Sequence, residues 1–229
     1  MNSLPQGYRA VVLGASGAIG ASFVAALQAD PRCAEVLAVS RQSHPGWDIT
    51  DEASSTALAQ SIAGPLHLVV DATGALTIAG VGPEKRLADV SAERLMRSWQ
   101  LNAMGPALLL KHLAPQLALQ ERAIWAKLSA RVGSIEDNHK GGWYAYRSAK
   151  AALNQLLQTS AIELARQRPG LVVAALQPGT VASPLSQPFV GDHAMAPDDS
   201  VNRLLQVLDQ LPATGRAHFV DHTGQVVPW

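Results

Sequence analysis

Tyr146 and Lys150 stand four residues apart in the run Tyr146-Arg147-Ser148-Ala149-Lys150. On a helix that spacing puts both side chains on one face. A phenol ordinarily titrates at about pH 10, too high to exchange protons readily near neutrality. A neighbouring ammonium favours the phenolate and is expected to lower that value. Tyr146 can then give a proton to a carbonyl oxygen or take one from an alcohol. The same spacing arises by chance in surface contacts, so the position of the pair in the fold has to decide. Tyr144 has Ser148, not lysine, four residues on, and reads as packing or a pocket wall.

A second group could hold a phosphate. The apolar run Ala10–Leu13 leads into Gly14-Ala15-Ser16-Gly17-Ala18-Ile19-Gly20, and an apolar helical pattern follows. A helix N-terminus offers free N–H groups and a partial positive charge, where a pyrophosphate can sit. Glycine lets the backbone approach and permits positive φ. Between a first strand and a first helix this is the dinucleotide-binding context, and an ordinary tight turn is the alternative. Ala18 rules out a nucleophile elbow around Ser16, and no lysine follows Gly20, so this is not a P-loop. The next strand ends Val39-Ser40-Arg41, without the acid that would take a ribose 2′-OH. Arg41 can pair with a 2′-phosphate through its planar guanidinium, and Ser40 can add a hydrogen bond. A solvated loop arginine is the plainer reading. The expected cofactor is NADP rather than NAD.

The elements that would position these groups alternate along the chain. Strand-like runs fall at Ala10–Leu13, Val36–Val39, Leu66–Val70, Ala123–Leu128 and Leu171–Leu176. A weaker strand near Trp47 would be third in chain order, making Leu66–Val70 the fourth and Ala123–Leu128 the fifth. Continuous apolar strands predict a parallel sheet covered on both faces. Helical patterns cover Ala18–Ala29, Asp51–Ala63, Ala92–Leu119, Tyr144–Arg166 and Asp198–Gln210, with Asp51 and Ser91 as caps. A short last strand is expected around His218–Val220. The expected fold is α/β, a single Rossmann domain over residues 1–229, its parallel sheet doubly wound with helices on both faces. Tyr146 and Lys150 then open the helix after the fifth strand, where strand ends meet the cofactor crevice. The proline- and glycine-rich stretch of about residues 178–197 reads as a substrate loop.

Composition narrows the partners. Eighteen basic and eighteen acidic side chains balance, so no global field draws the chain to nucleic acid or an anionic membrane. Cys33 is the only cysteine, which fits a reducing cytoplasm. No signal peptide or membrane-length apolar run is read. The seven histidines form no zinc-binding pair, and no metal is expected. Trp99, Trp125, Trp143 and Trp229 read as packing, with Trp143 at a pocket border, and Glu136 and Asp137 as solvated loop charges.

Taken together, the glycine turn, Asp71-Ala72-Thr73-Gly74, Asn102, the Tyr146–Lys150 pair and Pro178-Gly179-Thr180-Val181 resemble the classical short-chain dehydrogenase/reductase family over nearly the whole chain. Arg131-Val132-Gly133-Ser134-Ile135, Gly142-Trp143-Tyr144-Ala145-Tyr146-Arg147 and Ala151-Ala152-Leu153-Asn154 resemble the branch of C-factor signalling proteins and sniffer-type carbonyl reductases. The resemblance implies a hydride transfer between a nicotinamide and a carbonyl or alcohol substrate. It implies that Asp48 and Ile49 contact adenine. It implies that Ala72, Thr73 and Gly74 let the backbone approach the adenosine ribose. Lys150 would hydrogen-bond the nicotinamide ribose, and Asn102 would hold a water in a proton relay; a residue bridging helix backbone is the alternative for Asn102. Pro178, Gly179, Thr180 and Val181 would clamp the carboxamide, with hydroxyl contacts from Thr180 and Ser183. A homodimer or homotetramer is also implied. The departure is the catalytic serine. The family usually ends this strand with two serines and uses the second; here the pair is Ser129-Ala130. Ser129 and Ser134 are the two candidate replacements. The alternative function is a dinucleotide-binding signalling or interaction protein with weakened chemistry. Sugar-nucleotide epimerases share the glycine spacing, but a chain of this length leaves little room for their larger substrate domain.

Overall fold

The computed structural model describes residues 1–183 and 194–229. Six parallel strands, β1 (Tyr8–Leu13), β2 (Cys33–Val39), β3 (Leu68–Asp71), β4 (Ala123–Leu128), β5 (Leu171–Gln177) and β6 (Ala217–Asp221), form one sheet in the order β2-β1-β3-β4-β5-β6. Every residue of β3 and β4 is buried, because helices cover both faces. Side chains alternate between those faces. Val11, Leu13, Val69, Trp125 and Val173 pack with α2 (Glu52–Ser61), α4 (Gly105–Leu113) and α5 (Tyr144–Leu164). Ala10, Val12, Leu68, Val70 and Ile124 pack on the other side with α1 (Ala18–Gln28) and α6 (Pro197–Gln210). The connections diverge from β1, so the crevice lies at the carboxyl ends of β1 and β3.

Two expectations are corrected. No strand forms near Trp47, so the strand ending at Asp71 is third and Ala123–Leu128 is fourth. The apolar signal at Trp47 comes from an indole buried against the α2/α4/α5 side of the core. The single helix expected over Ala92–Leu119 is interrupted. It divides into α3 (Ala92–Trp99), a π-helical segment Gln100–Met104, α4 and a 3₁₀ turn Ala114–Gln116. Pro106, in the first turn of α4, has no N–H to return to the carbonyl of Asn102. The Gly105 N–H reaches back five residues to Gln100 instead. Such π segments often mark functional positions, and this one carries Asn102.

Caps follow the sequence. The Asp51 carboxylate accepts from the N–H groups of Ala53 and Ser54, and the Ser91 hydroxyl accepts from that of Arg94. Among the described residues, no helix is long and apolar enough to cross a membrane.

Candidate active site

β1 turns into α1 through Gly14, whose φ is +81°. A Cβ there would lie 3.0 Å from the Ala72 carbonyl carbon, so glycine lets the turn lie against the end of β3. A Cβ at Gly20 would collide with the Gly14 carbonyl oxygen. Gly17 caps α1 without a side-chain hydrogen bond, and the first turn holds no acid. Ser16 and Gly17 are exposed, with Ala18 and Ile19 half-buried behind them. This cradle fits a pyrophosphate: its donors are free of side-chain caps and no carboxylate repels the anion.

At one end of the crevice, Arg41, Trp47 and Asp48 line a cavity of about 520 Å³, together with Arg97 from α3. Ser40 is buried and its hydroxyl accepts from the N–H groups of Gln42 and Ser43, shaping the turn that presents Arg41. Asp48 accepts from the Thr50 N–H and hydroxyl. Ile49 packs into the core against Gly105. Thr73 turns inward and donates both its N–H and its hydroxyl to Asp71 Oδ1. Gly74, at φ +138°, faces both Asn102 and Lys150.

Tyr146 is a shared wall. It borders a cavity of about 590 Å³ lined by Ile19, Ser129, Ala130, Trp143 and the stretch Pro178, Gly179, Thr180, Val181 and Ser183. It also borders a second cavity, of about 250 Å³, walled by the 76–84 loop and α3. Lys150 lies beneath the tyrosine, its Nζ 5.6 Å from the ring centroid, and donates to the Leu128 carbonyl at 2.9 Å. Gly133 lets the following turn rest on Lys150; a Cβ there would stand 2.8 Å from the lysine Cβ.

The start of α5 is held from several sides. Gly141, Gly142 and Trp143 all have positive φ, the last at +55°. A non-glycine residue in that region costs about 1–3 kcal/mol and persists only where its surroundings enforce it. Here the Trp143 N–H donates to the Glu84 carbonyl, and its indole meets the Tyr146 ring edge-on at 6.4 Å between centroids. The buried Glu84 carboxylate accepts the Ala145 N–H at 3.2 Å and pairs with Arg94 at 3.1 Å. The Ser98 hydroxyl donates to the Ala145 carbonyl at 3.1 Å and accepts from the Asn102 amide at 3.3 Å. Both backbone polar groups of Ala145, the residue preceding Tyr146, are thereby fixed by buried side chains.

Asn102 bridges backbone. Its Nδ2 donates to the Ala75 carbonyl at 2.9 Å and its Oδ1 accepts from the Ala75 N–H at 3.0 Å. Of the two serines, Ser129 borders the cavity, but its hydroxyl donates to Asn154 Oδ1 at 2.7 Å. Ser134 is buried, accepting from the Asp137 N–H and donating to the carbonyl of Trp229, and is not among the residues lining either cavity beside Tyr146. Pro178 accepts at its carbonyl from Ser200, and Gly179, at φ +82°, lies against the His222 ring. The Pro184–His193 portion of the expected substrate loop lies outside the described residues.

The electrostatics depart from expectation. Burial raises the Tyr146 phenol, where a lowered value was expected from Lys150. The Lys150 ammonium is held well below the usual lysine range, by burial first and then by the nearby cation of Lys127, with Asp71 opposing. Lys127 and Asp71 are opposite each other on paired β4 and β3, fully buried, with Nζ 2.9 Å from Oδ1. Lys127 also donates to the carbonyl and hydroxyl of Thr73.

Residues 14–209 match the family model described as enoyl-(acyl carrier protein) reductase. The chain belongs to the short-chain dehydrogenase/reductase family. Within that family it is 34% identical over 143 residues to the C-signal of Myxococcus xanthus, covering 62% of this chain and 83% of the relative. It is 28% identical over 197 residues to 1-hydroxy-2-glutathionyl-2-methyl-3-butene dehydrogenase of Rhodococcus sp. strain AD45, covering 86% and 84%. Among solved structures, the NADPH-bound carbonyl reductase from chicken fatty liver superposes with a TM-score of 0.83 at 24% identity, over 98% of this chain and 95% of that one. Carbonyl reductase Sniffer of D. melanogaster gives 0.82 at 22%, over 98% and 100%. These two likenesses show the short-chain dehydrogenase/reductase fold.

Proposed function

We propose that this chain is an NADPH-dependent oxidoreductase that reduces a carbonyl compound to an alcohol, with Tyr146 as proton donor. The observation that carries this reading is Tyr146 in the wall of the large cavity, facing the Pro178–Ser183 stretch with Lys150 buried beneath it. The dinucleotide, when bound, supplies the hydride. Gly14, Gly17 and the α1 N-terminus would receive its pyrophosphate, and Pro178–Val181 would hold its nicotinamide end. Tyr146 gives its proton to the substrate oxygen, and Lys150 and Asn102 hold the ribose side and the proton path. Ser129 is the better placed of the two serines to meet the substrate carbonyl, since it borders the cavity. The names of the Rhodococcus dehydrogenase and the chicken carbonyl reductase support hydride transfer to or from a carbonyl. A screen of aldehydes, ketones and quinones is expected to show NADPH oxidation by the purified protein; none across the panel would sink the reading.

Arg41 supports NADP over NAD, with Arg97 as a second cation in the same cavity. A charge-assisted hydrogen bond to a phosphate is worth about 1.5–3 kcal/mol, so Arg41→Ala is expected to weaken NADPH roughly tenfold or more while NADH changes little. Equal losses for the two, measured by fluorescence titration, would remove the specificity argument.

The raised phenol sets a pH dependence. Tyr146 keeps its proton through neutrality, so reduction holds its rate into mildly alkaline solution. Alcohol oxidation needs the phenolate and is expected to gain about tenfold per pH unit. Profiles of kcat/KM in both directions test this, and a flat oxidation profile contradicts it.

We further propose a cytoplasmic homo-oligomer. Met96, Trp99, Met104, Leu156 and Ile162 leave apolar surface exposed on α3, the π segment and α5, which supports association through these helices.

A further inference from the structure

Among the described residues, the charged side chains lining the large cavity beside Tyr146 have one sign: Arg131, Lys140 and Arg147 line it, and no aspartate or glutamate does. The rest of the wall includes Ile19, Leu76 and Trp143. Arg131 is neutralised from behind by Asp221, at 3.1 Å, with Asp137 at 3.7 Å. The other two cations form no ion pair among the described residues, although Asp137 is near enough to Arg147 to favour its charge. Arg147 donates through Nε and Nη1 to the carbonyls of Gly141, Gly142 and Val132, which carry no formal charge. Its Nη2 makes no hydrogen bond among the described residues. Lys140 is exposed at the cavity edge and has no partner among the described residues. The acids Glu84 and Glu93 lie on the other side of Tyr146, in the smaller cavity.

We propose that this site takes a carbonyl substrate bearing a carboxylate, with Lys140 and the open edge of Arg147 receiving the carboxylate while the carbonyl faces Tyr146. The assignment rests on the hydride-transfer reading above, which it deepens. The geometry is that of an apolar slot with a cationic rim. An ammonium and a guanidinium edge together offer several donors to two carboxylate oxygens. A neutral substrate would leave that rim without a counter-charge.

Two measurements test the proposal separately from turnover. In calorimetric titration of the protein saturated with NADP at low salt, benzoate is expected to bind about tenfold or more tightly than benzamide. Lys140→Glu, at an exposed loop position, is expected to erase most of that preference. Arg147→Met is expected to reduce it as well, but Arg147 also braces the glycine turn, so the Lys140 variant is the decisive one. In turnover, 4-carboxybenzaldehyde is expected to exceed methyl 4-formylbenzoate about tenfold or more in kcat/KM, a gap that closes at high salt. Equal affinity for benzoate and benzamide, or a preference that Lys140→Glu leaves intact, overturns the proposal. Benzoate preference without turnover of either aldehyde supports the cationic rim and counts against hydride transfer. Equal turnover of acid and ester keeps hydride transfer and rejects the carboxylate.

Discussion

Tyr146→Phe is expected to lower NADPH-dependent carbonyl reduction about 10²–10⁴-fold, the usual contribution of a positioned general acid. Dinucleotide binding is expected to survive. The substitution removes one oxygen and leaves the ring, so the edge-on contact with Trp143 and the stacking above Lys150 persist. No protein hydrogen bond to the Tyr146 hydroxyl exists among the described residues to be broken. The loss therefore falls on kcat, because the proton is needed only as the carbonyl oxygen gains charge. Stopped-flow reduction with NADPH in excess separates this from a binding defect. Full activity in the phenylalanine variant would mean that another group supplies the proton. Dinucleotide binding by the wild-type protein without turnover on any carbonyl would count against the proposed reduction and favour a binding role.

Asp71→Asn is expected to be the most damaging of the single substitutions for stability. Asp71 and Lys127 are both fully buried at the centre of the sheet. Removing one partner of such a pair leaves an uncompensated charge and costs about 3–5 kcal/mol. For a chain of this size each kcal/mol moves the melting temperature by about 2–4 °C, so a fall of roughly 6–20 °C is expected. Asparagine keeps an oxygen for the Thr73 donors, so the loss reports the charge rather than the loop. Combining it with Lys127→Met should restore much of the stability, because burying two charges is itself expensive. Calorimetric melts of the three proteins decide the matter. A loss within 1 kcal/mol for Asp71→Asn alone would show that Lys127 gives up its proton at little cost.

Much of the architecture was legible because it rests on short-range patterns. Strand runs such as Ala123–Leu128 and the glycine turn at Gly14–Gly20 follow from burial on both faces and from backbone sterics, which a sequence states directly. Trp47 misled because an apolar residue plugging a core looks like a strand residue when its neighbours are unknown. The break at Gln100–Met104 was missed although Pro106 signalled it; the amphipathic pattern runs straight through. The site was legible where chemistry is local, as at Tyr146 and Lys150. It was not legible where partners meet across the fold. Glu84 reaches Ala145 from far along the chain, and nothing in the sequence pairs them. Lys127 and Asp71 did leave a signal, a lone charge in each of two apolar strands, readable only once β3 and β4 are known to be neighbours. The direction of the Tyr146 shift failed for the same reason: spacing gives the distance to Lys150, whereas burial comes from the whole fold.

The clamp on Ala145 bears on fraying as well as place. The first turn of a helix is ordinarily the part that frays, since its N–H groups have no partners within the helix. In α5 that turn is tied down: releasing Ala145 leaves the buried Glu84 carboxylate and the Ser98 hydroxyl each short of a partner, so opening it costs more than fraying a free helix end. The proton donor thus sits on a turn pinned from the 76–84 loop and α3 rather than on a free helix end.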